Sequence, residues 1–180
     1  MSLHSFETTI KIWDLITGNC LKTLEGHSDY VIFLIKINKN KIASASYDKI
    51  IKIWDIITGK CLKTLEGHSE TVYLLVKINE NTLASTCFDK TIKIWDIITG
   101  KCLKTLEGHS LDITRLVKIN KNTLASASWD PSLKIWDIIT GYCLKTLEGN
   151  SRSIIKLNKY QIASTISDTK IKIWDLFDKE

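Results

Sequence analysis

No stretch of this chain approaches the roughly 18 consecutive apolar residues of a membrane-spanning helix, and Met1 to Ile10 holds no apolar run of signal-peptide length. The expectation is a chain that neither crosses a membrane nor is secreted. Closely spaced Cys/His pairs of the C-x-x-C kind are also missing, which leaves no zinc site and no expected cofactor. Room for helices is lacking as well, because turn residues interrupt the apolar pattern after runs close to the usual strand length of about 5–6 residues. What remains is 44% hydrophobic and 25% charged, enough to bury a core in a globular protein.

The five cysteines and the charge of +5 each invite a reading that their spacing argues against. Cys20, Cys61, Cys102 and Cys143 recur at one position of a repeating pattern, so they point the same way one repeat apart and do not suit disulfides. They are expected to be small buried fillers in a reducing, cytoplasmic compartment, with Cys87 of the same kind. The lysines recur too, as Lys11, Lys52, Lys93, Lys134 and Lys172, and as Lys22, Lys63, Lys104 and Lys145. Spread that way they form a ring and not a groove, and lysine on strands guards outer edges against aggregation. Nucleic acid is therefore not expected as a partner.

A Trp-Asp pair closes a β-patterned run at Trp13, Trp54, Trp95, Trp136 and Trp174, at intervals of 41, 41, 41 and 38 residues. A fixed period near forty residues marks an array of like modules that stack to cover one another. Within His68 to Gly108 the run Thr71 to Ile78 is nearly all apolar or β-branched, as in a strand buried on both faces. Thr82 to Cys87 follows with small residues, then a turn at Phe88-Asp89-Lys90. Thr91 to Asp96 and Cys102 to Leu106 both alternate with period two. Each module is thus a four-stranded antiparallel meander.

The Gly-His pairs (Gly26-His27, Gly67-His68, Gly108-His109), the Leu-Ala-Ser second strand, the turn aspartate and the Ile-Trp-Asp ending stand in one fixed order. In that order they resemble the WD-repeat β-propeller family over essentially the whole chain. Lys52 to Ser69 recurs unchanged as Lys93 to Ser110, which implies recent duplication or deliberate design. The resemblance implies an all-β fold, a β-propeller of four-stranded antiparallel blades. Residues 1–25 form a partial blade, 26–66, 67–107 and 108–148 three blades, and 149–180 an incomplete one.

Every complete repeat supplies a His, Ser, Asp and Trp: His27, Ser44, Asp48 and Trp54; His68, Ser85, Asp89 and Trp95; His109, Ser126, Asp130 and Trp136. A hydrolase triad draws on the same trio, but a triad is normally unique and this trio is repeated. The resemblance implies a structural hydrogen-bond tetrad, Asp accepting from His, His linked to Ser, and Ser to the indole N–H. No catalytic residue is expected. Leu3 and Glu7 replace Ser and Asp in the first partial repeat, and Asn150 replaces the His of the last, which keeps Ser164, Asp168 and Trp174.

The two ends are incomplete in opposite ways. Third- and fourth-strand patterns open the chain, and patterns for strands one to three close it. Four blades per chain are completed only by joining the front of one chain to the back of another, or to its own. The expectation is an eight-bladed ring formed by a homodimer, each N-terminal fourth strand closing the partner's last blade. A four-bladed monomer and a piece of a larger protein are the alternatives. One third strand is surplus, and the N-terminal copy is expected to be displaced.

In the resembled family partners dock where the turn between strands two and three meets the start of strand one. The residue before the turn Asp is Tyr47, Phe88, Trp129 and Ser167, with Phe6 in the partial repeat. Three residues after the His position come Tyr30, Thr71, Asp112 and Ser153, and two further on Ile32, Tyr73, Thr114 and Ile155. These positions vary while their surroundings repeat. They point to a non-enzymatic scaffold binding a protein or peptide through an aromatic-rich face. Burial of each aromatic against the next blade is the plainer reading. A self-assembling unit with no dedicated ligand is the alternative function, and an aromatic cage of Tyr47, Phe88 and Trp129 for a methylated lysine is conceivable.

Overall fold

The computed structural model describes residues 7–149, 152–167 and 170–176, and these are arranged as five antiparallel sheets with no helix. Leu3, Phe6, Asn150 and Asp168, singled out above, lie outside the described residues. The first sheet pairs β1 (Ile10–Trp13) with β2 (Cys20–Leu24). Three four-stranded sheets follow: β3 (Val31–Lys36), β4 (Lys41–Ser46), β5 (Ile51–Asp55) and β6 (Cys61–Leu65); β7 (Val72–Lys77), β8 (Thr82–Cys87), β9 (Ile92–Asp96) and β10 (Cys102–Leu106); β11 (Ile113–Lys118), β12 (Thr123–Ser128), β13 (Ser132–Asp137) and β14 (Cys143–Glu148). The last sheet has three strands, β15 (Ile154–Lys156), β16 (Gln161–Ser167) and β17 (Lys170–Asp175). Among the described residues no helix is long and apolar enough to cross a membrane.

The sheets stack flank on flank, which explains why their strands carry apolar residues on both sides. Ile51 and Ile53 of one blade share a core with Val72, Leu75 and Trp95 of the next. Ile92 and Ile94 share another with Ile113, Leu116 and Trp136. The Trp54, Trp95 and Trp136 indoles are thus wedges at joints, 0% to 1% exposed. A bulge at the indole, between Ile53 and Trp54 and again between Ile135 and Trp136, sharpens the twist that lets a flat meander become a blade. The Gly-His pair follows from the same packing. Gly67 adopts φ +140°, and a Cβ there would meet Trp95 Cη2 at 3.5 Å, so glycine admits the strand to the indole edge.

Three expectations are corrected. Cys20, Cys61, Cys102 and Cys143 are exposed, and only Cys87 is the buried filler. Each of the four lies on the outermost strand of its blade, with its Sγ donating to a backbone carbonyl such as Lys104 O at 3.3 Å. Lys52, Lys93 and Lys134 lie on third strands and not at an edge, half-buried or nearly so, donating to Thr64, Thr105 and Thr146 hydroxyls at 3.2, 2.9 and 3.1 Å. The lysines of the fourth strands are the ones at the outer edge. Finally, Ile155 pairs with Ala163 as Ile35 pairs with Ala43, so the three-residue shortening falls before Ser153. Ser153 and Ile155 therefore correspond to Phe33 and Ile35, not to the face positions counted from Asn150.

Among the described residues the last sheet has one strand fewer than the inner blades, and Ile171 and Ile173 are 76% and 61% exposed, against 0% and 1% for Ile51 and Ile53. Its amides are expected to exchange with deuterium before those of β7–β9, read by hydrogen-exchange mass spectrometry. Equal protection across both sheets would contradict this.

Candidate functional site

Each inner blade carries one polar chain between its loops and its indole. Asp48 sits in the tight turn after β4, where Lys49 takes φ 70°, and its carboxylate is met by His27 Nδ1 at 2.6 Å. His27 Nε2 lies 2.6 Å from Ser44 Oγ, and that oxygen accepts the Trp54 indole N–H at 2.8 Å. In the next blade the distances are 2.9 Å for His68 to Asp89, 2.7 Å for His68 to Ser85, and 2.7 Å for Trp95 to Ser85. In the third they are 2.7 Å for His109 to Asp130, 2.7 Å for His109 to Ser126, and 2.8 Å for Trp136 to Ser126. The last sheet keeps the indole bond, Trp174 to Ser164 at 2.8 Å.

The electrostatics follow from burial plus donors. Burial pushes the His27 and His109 imidazoles below the ordinary histidine range, although Asp48 and Asp130 pull the other way. A neutral ring then donates from Nδ1 to the carboxylate and accepts at Nε2 from the serine hydroxyl. Burial alone would raise the Asp89 and Asp130 carboxyls. Donors outweigh it: His68, Cys87 and Thr91 hold Asp89 far below its usual range, and Ser132, His109 and the Ser110 amide hold Asp130 below. Ser44, Ser85 and Ser126 are fully buried with the oxygen engaged by an indole, so this trio does not present a nucleophile to solvent. Asp130→Ala leaves those donors without their acceptor and is expected to cost about 1–3 kcal/mol of stability, read by urea denaturation. An unchanged midpoint would show the carboxylate to be dispensable.

One variation was not foreseen from the spacing. Cys87 stands where Ser46 and Ser128 stand, and its sulfur accepts the Asp89 amide at 3.1 Å as those hydroxyls accept Asp48 and Asp130 amides at 3.0 Å. His68, Cys87 and Asp89 thereby gather ligand-type atoms within 4.8 Å of one another. Burial pushes the Cys87 thiol up to about 12, which favours a protonated filler over a metal-binding thiolate.

The variable positions converge on the loop ends beside these chains. The Tyr47, Phe88 and Trp129 amides donate to the Tyr30, Thr71 and Asp112 carbonyls at 3.0, 3.2 and 2.9 Å, which draws the turn onto the start of the first strand. The Tyr47, Phe88 and Trp129 side chains are exposed, as are Tyr30 and Ile32, whereas Thr71 is buried and Tyr73, Asp112 and Thr114 are intermediate. The rings pair within blades. Tyr30 meets Tyr47 edge-on at 6.0 Å, Tyr73 stacks on Phe88 at 4.6 Å, and the Arg152 guanidinium lies 4.4 Å over Trp129. Tyr73 also donates its hydroxyl to the Ile113 carbonyl of the next blade, and burial raises that phenol to about 12. Tyr47, Phe88 and Trp129 thus take other partners, and among the described residues the three do not close into one cage.

Stacked four-stranded meanders with a wedge tryptophan define a β-propeller. The family description WD domain, G-beta repeat, matches residues 18–55, 59–96, 100–137 and 141–175, and the chain belongs to that family. Among solved structures, the computationally designed Ika8 protein superposes with a TM-score of 0.83 at 34% identity, over 94% of this chain and 53% of that one. The computationally designed Ika4 protein gives 0.76 at 34% identity, over 86% of this chain and 96% of that one. A 27-residue segment is 56% identical to nuclear distribution protein PAC1 of Fusarium vanettenii, covering 15% of this chain and 6% of that protein. The chain thus spans about half the Ika8 chain and a small part of PAC1.

Proposed function

We propose that this chain is a non-enzymatic interaction scaffold whose loop face binds a protein or peptide, and that two copies join as an eight-bladed ring in a reducing cytoplasm. The observation that carries the binding reading is one exposed aromatic, Tyr47, Phe88 and Trp129, at the same place in three successive blades. Large rigid rings supply contact area at small entropic cost, and a row of them matches an extended peptide better than a small solute. Tyr30, Ile32 and Asp112 flank that row. Thr71, Tyr73 and Thr114 would contribute through the shape of the surface, since they are buried or half-buried.

The test is selection from a displayed random peptide library against the intact chain, followed by Phe88→Ala with Trp129→Ala. A loss of affinity of about a hundredfold with an unchanged melting temperature supports the face. Peptides that bind the double variant as tightly as the parent would place recognition elsewhere. Failure to select any peptide would favour a self-assembling propeller with no dedicated ligand, a reading that the likeness to two designed proteins makes worth testing.

A further inference from the structure

Resting on the two-chain ring, we propose that β1 is a stand-in for the partner's β17. It occupies β2 in the lone chain and is displaced when a second copy closes the ring. Residues 10–15 and 171–176 carry one sequence, Ile-Lys-Ile-Trp-Asp-Leu. β1 lies on β2 in the register Ile10↔Leu24, Lys11↔Thr23, Ile12↔Lys22 and Trp13↔Cys20. The inner blades use that register between third and fourth strands, from Ile51↔Leu65 to Trp54↔Cys61. β17 can therefore take every partner of β1 with identical side chains. It is also the better anchored copy. β16 pairs with β17 from Gln161↔Asp175 to Ser167↔Lys170, and Trp174 is bonded to Ser164, whereas β1 makes no indole bond of that kind among the described residues, pairs with β2 as its one strand neighbour there, and leaves Trp13 53% exposed.

The flanks complement each other in the same sense. Ile171 and Ile173 face solvent where Ile51 and Ile53 are sealed against the following blade. Leu34 of the first full blade is exposed where its counterparts Leu75 and Leu116 are buried against the preceding one. Ile10 and Ile12 now cover Trp54, the seat that Ile171 and Ile173 of the partner subunit would take. Lys77 and Lys118 each donate to a carbonyl one blade back, at Ile37 and Ile78, and by the same step Lys36 would meet Leu157 of the partner subunit. Two strands of one sequence thus compete for one ladder. The exchange changes little in the ladder itself and buries both uncovered flanks, so concentration decides which strand wins.

Full-length variants separate the two strands by sedimentation velocity across concentration. Ile171→Asp with Ile173→Asp alters side chains that face solvent in the lone chain, so folding is retained, and the dimer dissociation constant rises about a hundredfold or more. Ile10→Asp with Ile12→Asp weakens the stand-in, and dimers form at about tenfold lower concentration. Lys11→Pro, which adds no charge against Trp54, is expected to act in the same direction. If the parent dimerises and neither β1 variant dimerises more tightly, the ring stands and the exchange is wrong. Loss of the dimer in both β1 variants, with the β17 variant unaffected, would make β1 the closing strand and overturn the proposal. A parent and variants monomeric at every concentration would remove the ring and the exchange together.

Discussion

Trp95→Ala is expected to lower the free energy of unfolding by about 3–5 kcal/mol, while Trp13→Ala, at the same place in the repeat, shifts it by less than about 0.5 kcal/mol. Trp95 is 0% exposed, packs in the joint with Ile51 and Ile53 of the preceding blade, and satisfies its N–H on Ser85. Truncation opens a cavity between two sheets that cannot collapse onto each other without tilting a blade, and it strips Ser85 of its donor. Trp13 is 53% exposed on a sheet that has two strands among the described residues. Urea denaturation of the two variants measures the contrast. Equal losses would mean that the indole acts through its own strand and not through the joint.

Acidification is the second large effect. His27 and His109 have folded-state values below their unfolded ones, so the unfolded chain binds the extra protons. Their contribution is fully present above the unfolded value near 6.5 and is lost as pH falls from there toward the depressed folded value. Each site adds a slope of up to about 1.4 kcal/mol per pH unit within that window. Asp89 and Asp130, also depressed, hold their contribution above about 3.8 and lose it as pH falls further toward their folded values. Unfolding free energy is therefore expected to decline from pH 7 through pH 5 and to continue declining below pH 4. A profile flat between pH 7 and pH 5 would mean that the rings take up protons as readily in the folded chain as in the unfolded one.

The fold was legible because its determinants are local and repeated. Ile92-Lys93-Ile94-Trp95 shows its period, its turn signals and its flanking Gly-His pair within one module. The register of the last blade was less legible, since counting forward from Gly149 crosses a deletion whose position only the pairing of Ile155 with Ala163 fixes. The cysteines misled for another reason. Their buried reading rested on the residue type, but on the outermost strand Cys-Leu-Lys-Thr-Leu is fully covered only at its last leucine, so the preference of cysteine for the interior does not decide its place. The loop face showed its aromatics in the sequence. Their pairing did not show, because Tyr73 reaching Ile113 across a joint and Arg152 covering Trp129 depend on how neighbouring blades are set.

The exposed flanks at the two ends of the array tie these observations together. Ile171 and Ile173 at one end and Leu34 at the other are exposed at positions that the inner joints bury, as at Ile51, Ile53 and Leu75. Sedimentation equilibrium of the intact chain at micromolar concentration tests this most directly. A two-chain ring gives a mass about twice the 20.5 kDa of one chain. A folded species of 20.5 kDa that persists as concentration rises would contradict it.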